Sequence, residues 1–234
     1  MSLAIITGST GLVGSEAVNF FHDKGFEIIG IDNNLRKLFF GKNGSTSWVK
    51  SILLKRNKNF KNHNIDIRNL DSLNKIFKKY KKKISVIIHC AAQPSHDYGK
   101  NFPFLDFNVN ATGTLNLLEL TKKYCPEAPF IFVSTNKVYG DNPNKLKIYE
   151  KKTRWELKKT DKFYKGIKEN FPIDNATHSF FGVSKTYADL IVQEYGKNIG
   201  LKTVCFRGGC ITGPNHSGAT LHGFLSYLVK ASLN

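Results

Sequence analysis

Short continuous apolar runs alternate along the chain with longer segments in which apolar residues recur every three or four positions. The short runs predict buried strands, and the longer spacing predicts amphipathic helices. The predicted strands cover 3–6, 26–31, 60–65, 84–92, 130–134 and 203–206. The predicted helices cover 15–24, 48–54, 70–80, 104–124, 179–198 and 221–233. Strands that alternate with helices predict an α/β fold, a doubly wound parallel sheet with right-handed crossovers.

A glycine-rich turn joins the first predicted strand to the first predicted helix, with Gly8, Gly11 and Gly14 at intervals of three. Glycines at such a turn let the backbone approach a pyrophosphate, and the helix N-terminus supplies free N–H groups and positive potential. The turn therefore predicts a Rossmann-type dinucleotide site. Its candidate cofactor contacts are Gly8, Gly11, Leu12, Val13 and Gly14.

The second predicted strand ends at Asp32, eighteen residues after Gly14. A carboxylate at this place accepts hydrogen bonds from an adenosine ribose diol and repels a 2′-phosphate, which favours NAD over NADP. We expect Asp32 and Asn33 to contact the cofactor. Asp66 and Ile67 follow the third strand. The carboxylate of Asp66 either accepts a hydrogen bond from the adenine amino group or is an acid at a helix N-terminus, and we favour the cofactor contact.

The fourth predicted strand ends in Ala91 and Ala92, followed by Gln93. Ligands of open α/β sheets bind outside the carboxyl ends of the strands, and small side chains there leave room for a cofactor. We therefore count these three residues as candidate cofactor contacts. His89 lies within the same strand, and we favour a packing role for it over a catalytic one.

Composition limits the other classes of protein. The chain has 234 residues, which suits one α/β domain, and 41% of them are apolar. No apolar run is long enough to span a membrane, and the first strand begins so early that we expect no signal peptide. The cysteines lack CxxC spacing, so we expect free thiols and a cytoplasmic location, without disulfide or metal site. They are Cys90, Cys125, Cys205 and Cys210.

The formal net charge of +17 allows two interpretations. A basic surface attracts nucleic acid, and that function predicts an affinity that falls steeply with salt. However, only five of the 35 basic residues are arginine, the lysines are spread along the chain, and the sequence contains no nucleic-acid-binding motif. We favour a solvated, lysine-rich surface that suits an anionic substrate, and we expect no nucleic-acid partner.

Taken together, these motifs resemble the extended short-chain dehydrogenases/reductases, a family of NAD-dependent nucleotide-sugar epimerases and dehydratases. The resemblance extends over essentially the whole chain and includes the glycine turn, Asp32, 66–68, 89–93, Asn110, 134–140 and Lys185. It implies that bound NAD⁺ takes a hydride from a sugar carbon and returns it to the other face. Segment 134–141, the pair 153–154 and the pair 178–179 are most similar to family members that epimerise CDP-linked sugars at carbon 2, so a CDP-sugar is the favoured substrate.

The resemblance also implies roles for individual residues. Thr135 corresponds to the catalytic hydroxyl, and Lys185 corresponds to the lysine that also holds the nicotinamide ribose. Asn110 joins the candidate cofactor contacts. The candidate substrate contacts are Asn136, Lys137, His178, Arg207 and His216. Helices 104–124 and 179–198 correspond to the pair through which many members form a homodimer.

Three departures from the family pattern stand out. Phe181 occupies the position of the catalytic tyrosine, four residues before Lys185, and phenylalanine has no ionisable proton. The base is therefore open among His178, His216, His222 and Lys185, and a catalytically silent NAD-binding scaffold is the alternative function.

Asn136 and Lys137 replace the Asp-Glu pair of the dehydratases, which disfavours dehydration. Family members usually continue into a small substrate-binding lobe. We expect residues 1–234 to form one NAD-binding domain in which this lobe is missing or minimal, with a substrate-side insertion at 141–177.

Overall fold

The structure of the protein, a computed structural model, describes residues 2–220 and 222–233. The strands in this part of the chain are β1 (Leu3–Thr7), β2 (Glu27–Ile31), β3 (Phe60–His63), β4 (Ile84–His89), β5 (Phe130–Thr135), β6 (Ile148–Glu150), β7 (Trp155–Leu157) and β8 (Thr203–Gly208). Six of them form one parallel sheet in the order β3-β2-β1-β4-β5-β8. The predicted doubly wound parallel sheet is confirmed. Its strand order reverses between β1 and β4, where folds of this class bind ligands.

Helices cover both faces of the sheet. They are α1 (Leu12–Asp23), α2 (Arg36–Phe40), α3 (Ser47–Arg56), α4 (Leu70–Tyr80), α5 (His96–Asn101), α6 (Pro103–Phe107), α7 (Gly113–Tyr124), α8 (Ser179–Lys197) and α9 (Phe224–Ser232). The sequence pattern does not predict α2 and α5. The single predicted helix over 104–124 is α6 and α7, joined by a π-helical turn at Asn108–Thr112. Leu221, where the last predicted helix begins, lies outside the described residues.

The core forms two layers because side chains alternate along each buried strand. On β1, Leu3 and Ile5 pack with α4, α7 and α8, whereas Ala4 and Ile6 pack with α1 and α3 on the other face. All five residues of β1 are buried. A strand that is buried on both faces reads as a continuous apolar run, which is why the sequence predicts this sheet well.

His89 is buried inside β4. Its Nδ1 lies 2.7 Å from the Thr7 hydroxyl and its Nε2 lies 2.9 Å from the Thr114 hydroxyl. Burial lowers the pKa of His89 to about 3, and the charge of Lys185 adds to this effect, so the ring is neutral at physiological pH. The packing role predicted for His89 is confirmed.

Residues 141–177 connect β5 to α8 through turns and the antiparallel hairpin of β6 and β7. Phe171 packs against Tyr139 and Phe163 and anchors this segment beside the end of β5. No helix among the described residues is long and apolar enough to cross a membrane. The four cysteines are free thiols.

Candidate cofactor-binding and active site

A cavity of about 520 Å³ opens at the carboxyl ends of the sheet strands. This volume lies within the range of roughly 300–1,000 Å³ that is usual for small-molecule sites. The cavity extends from the glycine turn and Asp32 to Thr135 and Lys185. Its walls include residues at the carboxyl ends of all six sheet strands or in the loops that follow them, and the predicted cofactor and catalytic positions line one continuous cavity. The predicted site residues that line it are Gly8, Gly11, Leu12, Val13, Gly14, Asp32, Asn33, Asp66, Ile67, Ala91, Ala92, Thr135, Asn136, Lys137, Lys185 and His216.

The three glycines of the turn differ in what a side chain at each position would contact. Gly8 has a left-handed φ of 63°, and a Cβ there would lie 2.7 Å from the backbone nitrogen of Ala91. A Cβ on Gly14 would lie 2.0 Å from the carbonyl oxygen of Gly8. A Cβ on Gly11 would meet only that same oxygen, at 3.2 Å. Gly8 and Gly14 are therefore required by packing, whereas Gly11 keeps the cavity side of the turn open.

Asp32 ties the glycine turn to the end of β2. Its Oδ2 accepts a hydrogen bond from the backbone N–H of Thr10 at 2.9 Å, and its Oδ1 accepts one from the backbone N–H of Asn34 at 2.8 Å. A carboxylate oxygen has about two acceptor positions, so each oxygen keeps one for a ligand. The carboxylate thus has the free acceptors that a ribose diol requires.

Asp66 is more fully engaged. Its Oδ1 accepts from the backbone N–H and the Nε of Arg68, and its Oδ2 accepts from the guanidinium of Arg68 and from Asn33. Partial burial works against ionisation, but the hydrogen bonds and charge of Arg68 outweigh it and hold the pKa of Asp66 below its usual range. The four acceptor positions of this carboxylate are occupied, so an adenine contact would have to displace one of these bonds.

Gln93 and Asn110 lie behind the cavity wall. Both are buried, and neither lines the cavity. The Oδ1 of Asn110 accepts from the backbone N–H of Gln93 at 2.8 Å, and its Nδ2 donates to the carbonyl of Gln93 and to Ser184 on α8, both at 3.0 Å. In this arrangement their side chains hold the loop after β4 against α8.

Lys185 lies at the sheet-facing side of α8 and is almost fully buried. Its Nζ donates to the carbonyl of Val133 at 2.8 Å and lies 4.1 Å from the ring centroid of Phe132. Burial lowers the pKa of Lys185 to about 8, although the nearby Cys90 and Asp189 oppose the shift. The ammonium therefore keeps most of its charge at neutral pH. Thr135, at the end of β5, lines the same part of the cavity.

Phe181 lies one helical turn before Lys185 and also lines the cavity. Its ring is buried and contacts the imidazole of His96 edge to face, with 5.0 Å between the ring centroids. The position that the family resemblance assigns to a tyrosine is thus at the cavity wall beside the lysine, but it carries no hydroxyl group.

Two of the predicted substrate residues face away from the cavity. Arg207 forms an ion pair with Asp189 at 2.8 Å and also donates to the Tyr139 hydroxyl at 2.9 Å. The two ring nitrogens of His178 face the carbonyls of Lys137 and Ile173. Neither Arg207 nor His178 lines the cavity. The described contacts therefore assign both side chains to holding the segment between β5 and α8.

Several cavity residues carry no sequence motif. Arg36 on α2 donates to the Ser217 carbonyl at 2.7 Å and lies 3.1 Å from Nδ1 of His222, and burial lowers its pKa to about 10. His96, on the unpredicted α5, lines the cavity as well. These contacts join parts of the chain that are far apart in sequence, so no local pattern signals them.

Comparison with known proteins agrees with this geometry. A model of the NAD dependent epimerase/dehydratase family matches residues 4–234, so the chain belongs to that family. The predicted family is confirmed, and NAD is its cofactor. The chain is 32% identical to the CDP-paratose 2-epimerase of Salmonella typhi over 229 residues, and 28% identical to the UDP-glucuronate 4-epimerase of Thermodesulfobacterium geofontis over 215 residues.

The fold is likewise similar to that of a solved relative. The crystal structure of the Thermus thermophilus UDP-glucose 4-epimerase in complex with NAD has a TM-score of 0.70 and 25% identity, covering 97% of this chain and 61% of that one. The two sequence relatives cover 98% and 92% of this chain. In turn, the chain spans 63% of the Salmonella enzyme and 57% of the Thermodesulfobacterium enzyme.

Proposed function

We propose that this chain is the NAD-binding and hydride-transfer part of a nucleotide-sugar epimerase. The observation that carries the proposal is the single cavity that connects the glycine turn and Asp32 with Thr135 and Lys185. The cradle fits the cofactor, because Gly11 leaves the turn open to a pyrophosphate and Asp32 keeps acceptors free for a ribose diol.

Each part of the cofactor has a partner in this proposal. The backbone of Gly11, Leu12 and Val13 at the start of α1 holds the pyrophosphate. Asp32 binds the adenosine ribose, and Lys185 binds the nicotinamide ribose. Bound NAD⁺ supplies a hydride acceptor that later returns the hydride, so the net reaction is an inversion at one sugar carbon.

The protein groups around the reacting carbon have distinct tasks. Thr135 donates a hydrogen bond to the alkoxide that develops as the sugar hydroxyl loses its proton. The ammonium of Lys185 favours negative charge in the same place, and its pKa of about 8 keeps it mostly protonated at neutral pH. Asn136 and Lys137 follow Thr135 at the cavity rim and, with His216, are the proposed substrate contacts. Asn136 and Lys137 occupy the positions of the Asp-Glu pair of the dehydratases, and the absence of that pair at these positions favours epimerisation over dehydration.

A CDP-sugar epimerised at carbon 2 is the favoured substrate. This assignment is supported by the similarity to the CDP-paratose 2-epimerase, which covers 98% of the chain. The net charge of +17 suits the diphosphate of a nucleotide sugar. The free thiols are compatible with the cytoplasmic location that we propose.

We also propose a homodimer formed through α8 and the helical segment of α6 and α7, which corresponds to the predicted helix over 104–124. Large apolar side chains recur at helical spacing along an exposed face of α8, and more are exposed on α6. They are Phe180, Val183, Tyr187 and Leu190 on α8 and Phe104 and Phe107 on α6. An apolar stripe that is exposed on two adjacent helices is typical of a protein interface.

The first test is to denature the purified protein and look for released NAD by mass spectrometry and absorbance. A nearly stoichiometric amount of cofactor is expected, because a recycling epimerase keeps its NAD. Conversion of CDP-paratose to its 2-epimer is then followed by NMR. A protein that holds no NAD and fails to bind added NAD would refute the proposal.

Phe181 motivates a second candidate, a catalytically silent scaffold that binds NAD without turnover. The variant Phe181→Tyr separates the two functions. A large rise in turnover of CDP-paratose indicates a site that has lost its base, whereas an unchanged or lower turnover indicates a base elsewhere in the cavity.

A further inference from the structure

His96 lies in the part of the cavity from which the tyrosine hydroxyl is missing. It is the first residue of α5, and its side chain is accessible and lines the cavity. Its ring contacts Phe181 edge to face, with 5.0 Å between the centroids. An imidazole titrates near pH 6.5, which suits proton transfer at physiological pH. The residue next to the missing base is therefore itself a suitable base.

Ser179 holds one side of this imidazole. Its Oγ lies 2.7 Å from Nδ1 of His96 and also accepts the backbone N–H of Gly182 at 3.2 Å. Ser179 has a left-handed φ of 64°, which is unfavourable for a residue with a Cβ. Strained backbone of this kind persists where the surrounding structure requires it and is concentrated at functional sites. Nε2 of His96 has no hydrogen-bond partner among the described residues, so it is available to a ligand.

Three of the other candidate bases, His178, Lys185 and His222, have polar partners, and His216 lies elsewhere in the cavity. The ammonium of Lys185 donates to the Val133 carbonyl. Nδ1 of His222 lies 3.1 Å from the Arg36 guanidinium, and burial together with this charge lowers the pKa of His222 to about 3. Nδ1 of His216 has no hydrogen-bond partner among the described residues, but His216 neighbours Ser217, which Arg36 and Ser45 hold at the Asp32 end of the cavity. Burial and the charge of Arg36 lower the pKa of His216.

We propose that Nε2 of His96, positioned by Ser179, is the proton acceptor that replaces the family tyrosine. This assignment depends on the proposed epimerase function. In the oxidation, the sugar O–H bond breaks and its proton forms an N–H bond at Nε2. The C–H bond of the same carbon breaks, and its hydrogen leaves with both bonding electrons to the nicotinamide ring of NAD⁺. The sugar would be oxidised to a ketone and the cofactor reduced. After the ketone turns over, the hydride would return to the opposite face of the same carbon, and Nε2 would return its proton to the oxygen of that carbon.

The charges around His96 allow this role. Partial burial and the charge of Lys137 lower the pKa of His96, while Asp97 and Asp106 act in the opposite direction. His222 is the other titratable group facing it. The balance leaves the pKa below its ordinary value, so the ring is neutral and able to accept a proton at neutral pH.

An NMR measurement on the ¹⁵N-histidine-labelled protein tests the geometry without turnover. The proposal requires that Nδ1 carries the proton and donates to Ser179, so that Nε2 is the unprotonated nitrogen. The resonance is assigned by its loss in His96→Gln, and Ser179→Ala should shift it. A neutral ring protonated at Nε2 refutes the assignment whatever the activity, because that nitrogen then has no lone pair for the sugar proton.

Turnover of CDP-paratose tests the chemistry. His96→Gln should lower kcat roughly a hundredfold or more with little change in KM and should remove the acid limb of the pH profile. His22→Gln, on the exposed end of α1, is the matched control. Ser179→Gly relieves the backbone strain but removes the hydroxyl, so it should fold well and lose activity.

The outcomes separate the two proposals. If the wild-type protein binds no NAD or leaves CDP-paratose unchanged, the epimerase function fails and the assignment fails with it. If the wild-type protein is active and His96→Gln keeps its kcat and its pH profile, only the assignment of His96 is refuted. A large loss of kcat in His96→Gln with full NAD content supports both.

Discussion

Replacement of Gly11 by valine should separate cofactor binding from folding. Gly11 precedes α1 with φ of −79° and ψ of 177°, an extended conformation that any residue adopts. Its Cβ would meet only the Gly8 carbonyl oxygen, at 3.2 Å, which a shift of a few tenths of an ångström relieves. Valine is a poorer residue than glycine at a helix N-cap, so we expect a loss of about 1 kcal/mol in the free energy of unfolding.

Gly11→Val should weaken NAD binding by more than it lowers the free energy of unfolding. The two methyl groups would occupy the side of the turn that the pyrophosphate approaches, and they would separate it from the N–H groups of α1. Losing one charge-assisted hydrogen bond costs about 1.5–3 kcal/mol. That cost corresponds to a rise of roughly 10- to 150-fold in the Kd of NAD, measured by isothermal titration calorimetry.

Gly14→Ala is the contrasting variant. Its Cβ would lie 2.0 Å from the carbonyl oxygen and 2.7 Å from the carbonyl carbon of Gly8, so the turn itself must move. Overpacking of this kind costs about 1–3 kcal/mol or more, and urea denaturation should show the loss directly. If Gly11→Val destabilises the protein as much as Gly14→Ala, or binds NAD normally, the placement of the pyrophosphate at Gly11 is wrong.

Two further predictions concern charged residues of the cavity. Asp32→Ala should narrow the preference for NAD over NADP, because it removes the repulsion of a 2′-phosphate; an unchanged ratio of the two Kd values would exclude Asp32 from the ribose site. In the folded protein the pKa of Lys185 is about 8, below its usual value of 10.5, so between these two pH values the unfolded chain binds more protons. The contribution of Lys185 to stability should therefore rise with pH from about 8 to about 10.5. The free energy of unfolding of the wild type and of Lys185→Met is measured by urea denaturation at several pH values. The value for the wild type should rise relative to that of the variant between about pH 8 and about pH 10.5. A difference that does not change with pH would contradict the lowered pKa of Lys185.

Phe181, at the position of the family tyrosine, fits the apolar and aromatic contacts around it. The ring of Phe181 is buried at the cavity wall beside Lys185, and the imidazole of His96 contacts it edge to face. In the proposed mechanism, the proton acceptor thus moves from α8 to α5, while Thr135 and Lys185 keep their positions. The variant Phe181→Tyr and the His96 variants test this change from opposite sides.

The sequence by itself determined the sheet, the glycine turn and the family. A parallel strand that is buried on both faces needs a continuous apolar run, so β1, β2 and β4 are visible in the pattern. The turn at Gly8 and Gly14 is equally local, because a left-handed φ and a close backbone approach admit no side chain. Because the residues that carry these features lie within a few positions of each other, the features can be predicted from the local sequence.

Only the tertiary structure decided which side chains meet in the cavity. The sequence motifs predict that Arg207 and Asn110 contact ligands in the cavity. In the structure an ion pair holds Arg207, and hydrogen bonds to the backbone hold Asn110, behind the cavity wall. His96 carries no motif and meets Ser179 across 83 residues of sequence. The contact between His96 and Ser179 depends on how α5 packs against α8. That packing depends on the shapes of many side chains that are distant in sequence, so the spacing of residues along the chain does not predict it.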